Sequence, residues 1–243
     1  AIRCKKKGIS RFVYASSCSI YYTLDPNDDI KTEESKVNPT APYSKTKYQG
    51  ERALLELTDD KFCPTMLRKA TVFGQSHRMR YDLVVNTFTL HAYQKGRITV
   101  FGGGEMWRPL VDLQDAVDAY ILLSNVPAEK VRGQIFNLVH KNYRVLELAH
   151  WIKYVLRDRK QIEVDVQYVS NSPQRSYRVS ENKIENVLDF RCEKGISQAV
   201  NIMWDRIEKM DKTDLNNPIY NNIRWMTLLC EMEDRIKTMG YVF

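Results

Sequence analysis

The sequence predicts an α/β protein built on a parallel sheet, and three stretches carry that reading. Phe12-Val13-Tyr14-Ala15 is a short apolar run of the kind that forms a buried strand. Tyr43 to Leu57 follows Pro42, holds no further Pro and only Gly50, and is rich in Lys, Glu, Ala and Leu, which predicts a helix. Phe62 to Val72, with Thr65-Met66-Leu67 at its centre, predicts the next strand. A helix between two strands is a βαβ unit, with a right-handed crossover and parallel strands.

The other elements follow in order. Ala1 to Lys7 reads as the tail of a helix that stops at Gly8. Ser16-Ser17-Cys18-Ser19 stands where the first strand ends. Ligands of open α/β sheets bind at the carboxyl ends of strands, and a Ser-rich strand exit also serves simply to satisfy turn amides. Leu24 to Pro42 is a polar loop, and Phe73 to Arg80 is another. Asp82 to Gln94 predicts an amphipathic helix and Ile98 to Phe101 a strand. Gly102-Gly103-Gly104 is a tight turn; no helix opens from it, so it is no phosphate-binding fingerprint. Arg108 to Asp112 is extended, Leu113 to Leu123 helical, Gln134 to Leu138 a strand, Val145 to Leu156 a helix and Ile162 to Tyr168 a strand. Asn182 to Leu188, Ile196 to Met210 and Asn221 to Met239 are helices. In the last, Trp225, Leu228, Met232 and Ile236 recur at helical spacing, which points to packing.

Composition narrows the function. The 243 residues suit one large domain or one and a half small ones. No apolar run has the length of a membrane span. Five scattered cysteines without a C-x-x-C pair suggest reduced thiols, and no signal peptide opens the chain, so a cytoplasmic protein is expected. The first residue is Ala, as in a fragment or a processed product. The four histidines have no metal-ligand spacing, and no metal is expected. A net charge of +7 favours anionic ligands. Without interleaved basic and aromatic residues, nucleic acid is not the expected partner.

The chemistry concentrates at two places. Tyr43 and Lys47 stand four apart, on one face of the predicted helix. A free tyrosine, with a pKa of roughly 10, is a poor base at neutral pH. A lysine ammonium one turn away favours the phenolate, and such a tyrosine can exchange a proton with an alcohol. A serine hydroxyl aimed at the same oxygen could hold it. By itself the spacing describes a solvated helix face equally well.

The order of motifs resembles the extended short-chain dehydrogenase/reductases, the nucleotide-sugar epimerases and dehydratases. Phe12 to Ser17 resembles the strand that ends in the catalytic Ser/Thr, and Pro42 to Lys47 the Tyr-x-x-x-Lys helix. Leu67 to Gly74 resembles the strand exit beside the nicotinamide, and Arg108 to Asp115 the segment whose Arg contacts the substrate diphosphate. Ile135 to Leu138 and Pro173 to Val179 resemble later segments of the substrate domain. The resemblance runs from about residue 1 to residue 210.

It implies a partial Rossmann-type parallel sheet with a smaller α/β substrate-binding part. Residues 1–75 and parts of 108–140 form the first, and 76–243 mainly the second. It implies NAD or NADP as cofactor, a nucleotide-sugar substrate and a homodimer through the Tyr-bearing helix. Tyr43 becomes the proton-transfer residue. Lys47 lowers its pKa and holds the nicotinamide ribose, and Ser17 bonds the reacting oxygen. Ala70 and Val72 flank the cofactor; Thr71, Asn86, Arg108 and Arg175 face the substrate, the two arginines on its diphosphate.

Departures from the pattern are as informative. No G-x-x-G-x-x-G loop occurs in the 243 residues, so about three βα units of the family, on the order of 90 residues, have no counterpart. A fragment of a longer enzyme, a half completed by another chain and a pseudoenzyme all remain open, the fragment being favoured. Thr71 stands where Asn is common, and Tyr22 where Gly is usual. Cys18 and Ser19, not Asp-Glu, follow Ser17, which favours an epimerase or reductase over a dehydratase. The alternative of another class is a non-catalytic nucleotide-sugar binder.

Overall fold

In the computed structural model, which describes residues 1–25, 29–169, 175–211 and 214–240, the predicted βαβ unit stands at the centre. Helix α1 (Ile2–Lys6) ends before Gly8, and strand β1 (Arg11–Ser17) runs into a 3-10 turn at Cys18–Tyr21. After the short strand β2 (Ile30–Lys31), Pro42 opens helix α2 (Pro42–Glu56); its fixed φ suits the first helical position. Strand β3 (Cys63–Lys69) returns parallel to β1, with Ser17 opposite Lys69. Strand β7 (Ile135–Leu138) extends the sheet on the far side of β3, also parallel, and leaves β1 at the edge among the described residues.

The strand expected over Phe62 to Val72 is two strands. The Ala70 amide donates to Leu138 O at 2.8 Å and closes the first sheet. Strand β4 (Thr71–Phe73) then pairs with β6 (Trp107–Asp112) in a second sheet, completed by antiparallel β8 (Lys141–Arg144). Between them lie helix α3 (Val84–Lys95), which starts two residues later than expected, and strand β5 (Arg97–Phe101). Leu83 is extended and Asp82 is ion-paired with Arg80 at 2.7 Å, which holds the entry out of the helix. Asp112 caps helix α4 (Leu113–Asn125) by accepting from the Gln114 amide at 2.7 Å.

Helix α5 (Ala128–Val131), missing from the sequence reading, leads into β7. Helix α6 (Val145–Lys160) and strand β9 (Asp165–Val169), parallel to β5, come next; β9 begins three residues after the predicted start. Strand β10 (Arg178–Val179) pairs with β2. Helices α7 (Asn182–Leu188), α8 (Ile196–Lys209) and α9 (Asn222–Met239) complete the chain. Of the 108–140 stretch, α4 and β7 join the first sheet, while β6 belongs to the second.

Two apolar cores result. One lies around β1, β3 and β7, with Leu67, Phe136, Leu138 and Ala119 buried. The other fills the space between α3, α6 and α8, around Phe88, Ile152 and Met203. Helix α9 enters neither. Its first turn is tied to the body, where Arg78 Nη2 donates to Asn222 Oδ1 at 3.0 Å and the Asn222 amide to Asp82 Oδ2 at 3.1 Å. Beyond that turn Leu228, Met232 and Ile236 are exposed, contrary to the packing their spacing suggested. Periodicity shows an apolar face but not what covers it.

Polar groups fix helix α2 on the sheet. The Arg68–Glu51 pair is 3% and 1% exposed, bidentate, at 2.9 and 2.7 Å. Ser16 Oγ donates to Glu51 Oε1 at 2.5 Å; Arg68 Nη1 donates to Tyr21 Oη at 2.5 Å, and that hydroxyl to Asn137 Oδ1 at 3.0 Å. Gly50 brings the helix close: a Cβ there would lie 2.3 Å from Tyr14 Oη.

Breaking a buried ion pair by removing one partner costs about 3–5 kcal/mol. Arg68→Leu therefore lowers the unfolding free energy from urea titration by that amount, with a lower midpoint, and adding Glu51→Leu recovers most of the loss. An unchanged midpoint in the single variant contradicts the role given to the pair.

Candidate active site

The carboxyl ends of β1 and β3 gather most of the predicted catalytic groups. Ser17 ends β1; its Oγ accepts from the Ser19 amide at 3.2 Å and donates to Ser19 Oγ at 3.0 Å. Tyr43, in the first turn of α2, leaves its ring 56% exposed. Lys47, one turn on, places Nζ 5.6 Å from the Tyr43 ring centre and 5.3 Å from that of Tyr14. That ammonium donates to Ala15 O at 2.8 Å, two residues before Ser17. The helix thus brings Lys47 to β1 two residues before Ser17, with the Tyr43 ring beside the ammonium.

Behind this pair lies a second amine that the sequence reading passed over. Arg68 and Lys69, adjacent in β3, point to opposite faces, as strand residues do. Arg68 reaches Glu51 on α2, and Lys69 reaches α4, where Nζ donates to Tyr120 Oη at 2.8 Å. Burial pushes the Lys69 ammonium down to about 8; Lys47 adds to the shift and Cys18 opposes it. Burial, with Tyr43 nearby, pushes the Tyr120 phenol up to about 12. The signal for Lys69 was its place: a lysine as the last residue of a central strand.

The remaining site residues lie along the join of the two sheets. Ala70 is buried at the break, and Thr71 and Val72 begin β4. Thr71, Leu83, Val84, Phe101, Arg108 and Arg175 line a cleft of about 250 Å³. Arg108 Nη1 donates to Trp107 O at 2.9 Å and to the carbonyl of Arg175, which fixes one arginine against the other's backbone. Burial lowers the Arg108 pKa, and the charge of Arg175 lowers it further, while Tyr177 acts the other way. Neither guanidinium has a carboxylate partner among the described residues.

Such a pair can clamp a diphosphate, for which two guanidinium forks supply both charge and geometry. Pro173 and Gln174, at the head of the Arg175 motif, lie outside the described residues. Asn86 does not line the cleft. It is buried in α3, where Oδ1 accepts from the Gly74 amide at 3.2 Å and Nδ2 donates to Arg80 O at 3.0 Å. Its amide is committed to tying the loop 74–80 to the helix. Leu83, Val84 and Phe101, which do line the cleft, are apolar residues that no motif marked.

The chain has relatives among known proteins. UDP-glucose 4-epimerase of Lactobacillus helveticus is 25% identical over 205 residues, 74% of this chain and 62% of that protein. A dTDP-glucose 4,6-dehydratase of Bacillus anthracis, solved with NAD, superposes with a TM-score of 0.72 at 18% identity, covering 87% of this chain and 67% of its own. A UDP-glucuronic acid 4-epimerase of Bacillus cereus, solved with UDP-glucuronic acid and NAD, superposes with a TM-score of 0.71 at 19% identity, over 85% and 64%. At these identities the likeness to the solved structures is one of fold. The chain spans 35% and 62% of the length of the curated relatives it matches. Residues 2–138, more than half of the chain, match the NAD dependent epimerase/dehydratase family, and the chain belongs to that family.

Proposed function

We propose that this chain carries the proton-transfer and substrate-binding half of an NAD(P)-dependent nucleotide-sugar epimerase-type oxidoreductase. The observation that supports it most is that Lys47 lies beside the Tyr43 ring and reaches β1 two residues before Ser17, together with a cleft whose two arginines pair with no carboxylate among the described residues. A sugar hydroxyl at the strand ends gives its proton to Tyr43, which returns it when the carbonyl is reduced again. Ser17 holds the same oxygen through its hydroxyl. Arg108 and Arg175 grip the diphosphate, so the sugar is positioned from its nucleotide side.

The nicotinamide end of a dinucleotide fits these residues: Lys47 is an ammonium beside a solvent-facing phenol, suited to ribose hydroxyls, and Ala70 and Val72 follow the end of β3. NAD or NADP, when bound, supplies the hydride acceptor. The pyrophosphate end finds no Gly-rich loop in these 243 residues. A second reading, a nucleotide-sugar binder without turnover, rests on the two cleft arginines alone.

Removing a positioned acid/base group costs about 10²–10⁴-fold in rate. Tyr43→Phe therefore abolishes sugar-nucleotide turnover while circular dichroism stays unchanged, and equal activity in the variant overturns the enzymatic reading. Titration of the chain with UDP-glucose, followed by tryptophan fluorescence, separates the second reading. A binder takes the ligand with no dinucleotide added and loses it in Arg108→Ala. Retained affinity in that variant removes the cleft from either reading.

A homodimer through α2 belongs to the same proposal. An apolar groove of about 470 Å³, lined by Ile2, Phe12, Ala53, Leu54 and Leu57, runs between α1, β1 and α2 and supports it. Light scattering should give twice the chain mass, falling to one chain in Ala53→Glu; a monomer at every concentration refutes the dimer.

A further inference from the structure

The Tyr43–Lys47 pair has a second ammonium–phenol pair beside it, Lys69–Tyr120, and the two differ in what surrounds them. Lys47 reaches a backbone carbonyl and two aromatic rings. Lys69 is half-buried, ends β3 opposite Ser17, and makes its described hydrogen bond to a neutral phenol at 2.8 Å. The groups that act on its charge are Lys47 on α2, Tyr120 on α4 and Cys18 in the turn after β1. No carboxylate pairs with Lys69 among the described residues. A lysine that is desolvated and set next to another cation is the environment that turns an amine into a nucleophile.

We propose that Lys69 is a nucleophilic amine that forms an imine with carbonyl compounds carrying a phosphate or similar anion, with Lys47 attracting the anion and Tyr120 serving as the proton donor. The neutral Nζ adds to the carbonyl carbon, a C–N bond forms and the carbonyl π pair moves to oxygen. A proton passes from nitrogen to that oxygen and gives a carbinolamine. The C–O bond then breaks; the hydroxide leaves with the Tyr120 proton as water, and the protonated imine returns its proton to the Tyr120 phenolate. The sum is amine plus carbonyl giving imine plus water, with no oxidant or reductant.

The burial that holds Lys69 near 8 supports this independently. At neutral pH an amine of that kind is neutral roughly two orders of magnitude more often than an ordinary lysine with a pKa of about 10.4. The proposal concerns this chain without cofactor or nucleotide sugar, so it stands or falls separately from the oxidoreductase reading.

The test uses pyridoxal 5′-phosphate as the probe, borohydride to fix the imine, and peptide mass spectrometry to locate it. The expected result is an adduct concentrated at Lys69, with a pH midpoint near 8, absent in Lys69→Arg. In Lys47→Met the midpoint rises, because the neighbouring ammonium is gone. Unphosphorylated pyridoxal labels Lys69 several-fold less. Adduct spread over the exposed lysines, or a Lys69 midpoint equal to theirs, overturns the proposal. Equal labelling by pyridoxal and its phosphate overturns the part given to the anion. Circular dichroism of both variants shows that loss of labelling is not loss of fold.

Discussion

Everything at the strand ends depends on the buried Glu51–Arg68 pair. Helix α2 carries Tyr43 and Lys47, and strand β3 is the centre of the sheet that α2 faces. Two ions taken out of water cost several kcal/mol each and are tolerated only where the geometry is good and further hydrogen bonds complete it. Here Ser16, Tyr21 and Asn137 complete it, so the same network joins β1, the turn after it, α2, β3 and β7. The pair fixes the helix rotation, and the rotation decides that Lys47 reaches β1 with the Tyr43 ring beside it. Gly50 acts in the same direction, because a side chain there would collide with Tyr14 and lift the helix off the strand.

Electrostatically the two faces of β3 are opposites. On the α2 side, Arg68 is matched by a carboxylate and its charge is retained. On the α4 side, Lys69 is matched among the described residues by a phenol and held near a like charge. Adjacent residues of one strand therefore use the same low-dielectric surroundings in contrary ways, one to lock the fold and the other to weaken its own proton. The cleft arginines belong with Lys69: Arg108 is partly desolvated and has no anion of its own among the described residues. Unmatched positive charge is kept where a ligand can meet it.

Much of the architecture was legible because it follows from local rules. Pro42 starts the helix, period-two and period-3.6 patterns separate strands from helices, and β1–α2–β3 follows from their order. The motifs around Ser17, Tyr43, Lys47, Thr71 and Arg108 were legible as a series; in the structure Lys47 reaches β1 near Ser17 with Tyr43 beside it, and Thr71 and Arg108 line one cleft. What stayed hidden was set by tertiary contacts. The break at Ala70 comes from which partner strand captures each half, which no propensity records. Asn86 looks like a ligand residue in sequence and is a loop tether, because a buried amide serves either role equally. The exposed stripe of α9 is the same case for a helix: spacing reveals a face, and only the fold shows whether anything meets it.

At Ala70 the chain passes from one sheet to the other without interrupting either. Ser17, Tyr43 and Lys47 lie before Ala70, and Thr71, Arg108 and Arg175 of the cleft lie after it. The chain crosses back after Asp112 through α4 and crosses once more between Leu138 and Lys141, and Val72 and Val111 of the second sheet pack into the first core. The two sheets are therefore stitched together at several crossings, which holds the strand-end residues and the cleft in one fixed relation.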